Sequence, residues 1–120
     1  MEIPSGTKSQ IIRIPKFVSK SALKVKKEFI SGIFDAEASV LKMIDSHHPK
    51  GYPRIQFKVV SHAITKDIHD ILKLLDINSR IYRYNTFSMI HINGKTQCRL
   101  FHDKIGFRHP IKDKRLRALL

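Results

Sequence analysis

Between Lys26 and Val40 the chain changes its period, and this change constrains the fold more than any other feature. Leu23, Phe29, Ile30, Ile33 and Phe34 recur at the three-to-four spacing of an amphipathic helix, whereas Ser39-Val40-Leu41 is β-prone. A helix is therefore expected over about 22–35, ending where a strand begins. Ser31, Gly32 and Ala36 interrupt its apolar pattern with small side chains, the spacing that lets two helices pack with their backbones close together. Asp35 and Glu37 fall at the helix end, where negative charge opposes the helix dipole by a few tenths of a kcal/mol. Two carboxylates in that position point to a cation.

The rest of the chain reads as short elements separated by turn signals. Residues 1–10 are polar and expected to be flexible, and Ile11-Ile12-Arg13-Ile14-Pro15 is a short extended piece, because proline disfavours helix in the residue before it. Ser19 or Ser21 is the expected cap of the first helix. A strand over 39–44 leads into a hairpin loop, 45–53, carrying two prolines and a glycine. The next strand alternates cleanly, with Ile55, Phe57 and Val59 on one side and Arg54, Gln56 and Lys58 on the other. A helix over 65–76 presents Ile64, Ile68, Ile71, Leu72 and Leu75 as one stripe. Strands over 79–84 and 87–93 follow, then a helix capped by Thr96 and stopped by Gly106, and a last basic helix opened by Pro110. The order α-β-β-α-β-β-α-α, with hairpins rather than crossovers, predicts an α+β domain over 11–120: a four-stranded antiparallel sheet with helices on one face.

Charge narrows the partners. Lysine and arginine number 23 against 10 acids, a net charge of +13, and such an imbalance favours a nucleic-acid partner. The sheet face carrying Arg54, Gln56 and Lys58, with Arg80, Arg83 and His91 from the later strands, is basic and rich in hydrogen-bonding groups. It suits a groove of duplex DNA. No apolar run is long enough to cross a bilayer, the first residues lack the form of a signal peptide, and the lone Cys98 forms no intramolecular disulfide. An intracellular, non-secreted protein is expected, with Cys98 a small core residue. The seven histidines have no zinc-like spacing.

Ile30 to Ala38, ISGIFDAEA, resembles the nine-residue motif of the LAGLIDADG homing endonucleases, and Lys104-Ile105-Gly106-Phe107-Arg108-His109-Pro110-Ile111-Lys112 resembles the end of one complete repeat of that family. The resemblance covers roughly 11–120 and implies a saddle-like sheet. It also implies a homodimer through Ser31, Gly32, Asp35 and Ala36, and a site-specific double-strand DNA endonuclease acting on a roughly palindromic target. On the same basis Glu37 is the expected catalytic and metal-binding acid, with the backbone carbonyl of Ala38 beside it and Mg2+ or another hard divalent cation as cofactor. Asp35 is chiefly structural. Lys112, with Lys114 as a nearby competitor, is the catalytic cation expected to stabilise transition-state charge or to help activate water. Ser61, His62 and Lys66 fall where the family places polar groups of a water network. No second copy of the motif occurs, so a partner helix has to come from another chain.

Two departures from the pattern carry alternatives. Ala38 stands where glycine is usual, and Glu37 where aspartate is commoner. A catalytically inactive DNA- or RNA-binding protein of the same fold, such as a maturase or a transcription regulator, is the second reading. Arg13-Ile14-Pro15-Lys16-Phe17 resembles the linker into a second repeat, so a separated half of a two-repeat enzyme is the third.

Overall fold

A computed structural model describes residues 22–120. The expected flexible segment 1–10, the extended piece 11–15 and the caps Ser19 and Ser21 lie outside the described residues. The element order is α1 (Leu23–Glu37), β1 (Ala38–Asp45), β2 (His48–Val59), α2 (His62–Leu74), β3 (Arg80–Arg83), β4 (Ser88–Asn93), α3 (Lys95–Lys104) and α4 (Pro110–Leu119). The four strands form one antiparallel sheet in the order β1-β2-β4-β3, with helices on one face, as an α+β reading requires. Among the described residues no helix is long and apolar enough to cross a membrane.

Strand register sorts the side chains. Ala38, Phe57, Ile90 and Ile81 align across the sheet, as do Val40, Ile55 and Ile92, and these rows face the helices. Phe34 of α1 stacks on Phe57 at 4.9 Å and on Phe101 of α3 at 5.3 Å, which makes it the hub of the core. Ile64, Ile68, Ile71, Leu72 and Leu75 are buried as the helical stripe predicts. Cys98 is also buried, its thiol donating to the Ile92 carbonyl at 3.5 Å, and burial pushes its pKa up to about 12.

Several local expectations are corrected. The loop expected over 45–53 is mostly strand: only Ser46 and His47 separate β1 from β2. Pro49 and Pro53 are tolerated because β4 pairs with β2 only from Arg54 onward, so the proline-bearing half of β2 has a strand on one side alone. The N-cap of α1 is Ala22, which has no side-chain cap bond, and α1 runs on to Glu37. Its expected apolar stripe splits, with Ile30 and Phe34 buried, Phe29 and Ile33 half-buried and Leu23 exposed. Gly94, at φ 92°, is the N-cap of α3, and Thr96 lies inside the helix. Gly106, at φ 75°, ends that helix by returning its N–H to the Phe101 carbonyl at 2.8 Å, a conformation that carries little steric cost without a Cβ.

Candidate nucleic-acid interface and the helix end beside it

α1 turns one side to its own chain. The Ser31 hydroxyl donates to the Gly106 carbonyl at 2.7 Å. One carboxylate oxygen of Asp35 accepts the N–H groups of Arg108 and His109, both at 3.0 Å. Pro110 opens α4 at a position where a missing N–H costs nothing, and the His109 ring nitrogen accepts the Lys112 N–H as a cap. With the turn fastened in this way, the Lys112 ammonium reaches the Asp35 carbonyl at 2.6 Å. Lys112 therefore lies at the end of the motif helix, while Lys114 is exposed to solvent.

The opposite side of α1 is open. A Cβ built on Gly32 would meet nothing within 4 Å, and Ala36 is exposed. Val25 extends this surface toward the start of the helix, and Phe29 and Ile33 flank it half-buried. Of the four residues expected at a helix-helix contact, Gly32 and Ala36 lie on the open side. Ser31, at 2% exposure, and the bonded oxygen of Asp35 face inward. The correction follows from helical geometry, since adjacent residues differ by about 100° in direction.

Glu37 differs from Asp35 in having no hydrogen bond or ion pair among the described residues. It is exposed and lines an open groove of about 630 Å³ together with Ser39, Gln56, Lys58, Ser61 and Phe87. Ala38 is buried on the core face opposite Phe57, so its methyl group points away from that groove. No three His, Cys, Asp or Glu side chains among the described residues gather into a metal-ligand cluster. Ser61 is buried and caps α2 by accepting the Ile64 N–H. His62 pairs with the Ser88 hydroxyl, and Lys66 is ion-paired with Asp70 on the solvent side of α2.

The sheet face away from the helices is built in rows. Ser39, Gln56, His91 and Arg80 span all four strands; Lys58, Met89 and Tyr82 form a second row, and Leu41, Arg54 and Asn93 a third. Arg54 donates to the Asn93 side-chain oxygen at 2.7 Å and to the Tyr52 hydroxyl at 3.3 Å. The Lys58 ammonium sits 4.3 Å from the centre of the Phe87 ring. Two of the six expected DNA contacts lie apart from the exposed side chains of these rows. Arg83 pairs with the buried Ser88, so it belongs to the helix-side parity at the sheet's end. His91 has the right parity but is only 7% exposed, packed against the Tyr82 ring at 4.6 Å. Burial, and then the nearby Arg54 charge, lower its pKa.

Residues 24–106, more than half of the chain, match the LAGLIDADG-like domain family. The chain belongs to that family. Among solved structures it is similar to the homing endonuclease I-CvuI in complex with the I-CreI target, in the presence of 2 mM Mg and with the DNA not cleaved. That likeness has a TM-score of 0.62 at 20% identity, covers 82% of this chain and 65% of the other, and supports the fold alone. Among curated proteins the chain is similar to elongation factor 2 of Methanopyrus kandleri (strain AV19), 25% identical over 119 residues. It is also similar to a DNA gyrase subunit from Mycolicibacterium flavescens, 26% identical over 116 residues. These matches take in 99% and 96% of this chain but only 9% and 20% of the relatives' own lengths.

In this LAGLIDADG-like domain the nonamer spans the last turns of α1 and the first residue of β1, joining the core, the open helix face and the groove. Sequence reasoning missed Ser39 and Asn93 on the wet face. Extending the alternation of β1 back from the buried Val40 would have found Ser39. Extending the alternation of Met89 and His91 by one more step would have found Asn93, and the β2–β4 register places it opposite Arg54.

Proposed function

We propose that this chain is a site-specific DNA endonuclease that works as a homodimer on a roughly palindromic site with a divalent metal, Mg2+ or another hard cation. The observation that carries the reading is the groove in which Glu37, a carboxylate without a partner among the described residues, meets Gln56 and Lys58 of the basic sheet face. One chain supplies too few acids for the chemistry. Two copies joined through the Gly32 and Ala36 faces would bring two Glu37 side chains and their helix-end carbonyls, that of Ala38 included, to the same end of two DNA-binding sheets. Such a set of hard oxygen donors suits Mg2+. When bound, the ion supplies water activation and relief of charge on the leaving oxygen.

The chain's own groups supply the rest. Arg54, Gln56, Lys58 and Arg80 hold and orient the duplex, Lys112 offers positive charge beside the scissile phosphate, and Asp35 fastens the turn that carries Lys112. The curated relatives have unrelated names, and only a small share of each is matched. That is what a mobile domain carried inside other proteins would produce, and it supports an intron- or intein-type origin. A plasmid-cleavage assay with Mg2+ tests the reading. Glu37→Gln is expected to bind DNA as the parent does and to lose cleavage by about a hundredfold or more. Equal cleavage by both proteins would remove Glu37 from the mechanism. A parent that binds DNA, with log affinity falling about 0.9 per contacted phosphate against log salt, but never cuts would favour the binding-protein reading.

A further inference from the structure

At the far end of the wet sheet face, away from Glu37, a second cleft of about 480 Å³ opens between β3, the end of β4 and the helices α2 and α3. Lys73 and Arg80 line it, and no carboxylate does. Three side-chain amides, Asn78, Asn93 and Gln97, also line it, and the acceptors of Asn93 and Gln97 are already engaged. The Asn93 oxygen takes the Arg54 N–H at 2.7 Å, and the Gln97 oxygen takes the Asn78 backbone N–H at 2.8 Å. Asn93 and Gln97 are each left with an NH2 group, a donor. His91 completes the lining: it is more than nine-tenths buried, and neither ring nitrogen has a hydrogen-bond partner. A buried imidazole with both nitrogens unsatisfied is costly and rare, and such exceptions point to a missing partner.

We infer that this cleft is a phosphate site, in which Arg80 and Lys73 supply charge, the amides of Asn93 and Gln97 supply neutral donors, and the unsatisfied His91 ring lies behind them in the wall. Two cationic side chains and two amide donors with no opposing carboxylate favour an anion. The compact tetrahedral charge of a phosphate group can take several such bonds at once. The phosphate can come from a DNA strand or from a free mononucleotide. The inference does not depend on whether the chain cuts DNA.

Proton uptake should accompany binding. Burial, and then the Arg54 charge from β2, disfavour protonation of His91, and Arg80 from β3 with Lys73 and His69 from α2 line the same cleft. A bound anion offsets that effect, so binding should be coupled to proton uptake at His91.

The test is an NMR titration of the full chain with inorganic phosphate, following the His91 ring protons. The expected result is a saturable shift and a rise in the His91 titration midpoint. Arg80→Gln, a change at an exposed position, should weaken phosphate binding about tenfold. Arg115→Gln, exposed on α4, should leave it unchanged. A second arm distinguishes the sources: the same shift with a short duplex identifies a DNA phosphate, and a shift with a mononucleotide alone identifies a free nucleotide. His91 signals that ignore phosphate, or equal phosphate affinity in Arg80→Gln and the parent, would overturn the inference.

Discussion

The two sides of α1 use the same few residues for opposite ends. On the inner side, Ile30, Ser31, Phe34 and one oxygen of Asp35 are all engaged with the chain's own core or with the turn before α4. On the outer side, Gly32 and Ala36 face open space, and just beyond them Glu37 has no partner among the described residues. One nonapeptide thus serves both the fold and the proposed function, and the division falls between neighbouring residues. Acids two positions apart are separated in role by helical geometry: Asp35 holds the scaffold together, and Glu37 is left available.

This contrast can be broken at four points. Phe34→Ala removes the core hub and should cost about 3–5 kcal/mol in denaturant unfolding. Near-parental stability would mean that the inner side is not the structural one. Asp35→Ala leaves two backbone N–H groups without their acceptor and should cost about 1–3 kcal/mol, whereas Glu37→Gln should stay within about 0.5 kcal/mol of the parent. If the two acids proved equally costly to replace, the division of roles would be refuted. Gly32→Ala adds a methyl group to open space in a helix and should stabilise an isolated chain by up to about 1 kcal/mol. Gly32→Leu should convert dimer to monomer in a sizing experiment, and a dimer that tolerates leucine there would move the interface elsewhere.

The smallest effect concerns the wet face. Because the pKa of His91 is lowered in the folded chain, the unfolded chain binds more protons just below pH 6.5. Stability should therefore be fully present above that value and decline as the pH falls from it toward the folded-state pKa. His91→Gln should flatten that slope, and an unchanged slope would assign it to another group.

Much of this was legible in the sequence because its periodicity was unambiguous. The alternation over 54–59 gave the two faces of β2 directly, and the 3.6-residue stripe of α2 gave its buried side. Elements whose pattern does not determine a register were harder to read. β3 has four residues, with arginines at positions of opposite parity, and only its pairing with β4 decides that Arg80 faces outward with Gln56 while Arg83 does not. Pro49 and Pro53 looked like loop residues because a sequence does not reveal which half of a strand lacks a neighbour. Ser31 and Gly32 are both small, and nothing local shows which one looks inward. Glu37 was singled out through the motif alone, and its place in the groove beside Gln56 and Lys58 follows from the β1–β2 pairing. The burial of His91 depends on its packing against Tyr82, a cross-strand relation that no local pattern carries.

The bonds from α1 to the turn before α4 join residues more than seventy positions apart. During synthesis the motif helix emerges early, but its carboxylate waits for Arg108 and His109, and Lys112 comes later still. A nascent chain would therefore leave the end of the motif helix unfastened until α4 is made. A polypeptide cut at residue 106, where the family match stops, would keep the nonamer and lose the groups that hold Asp35 in place.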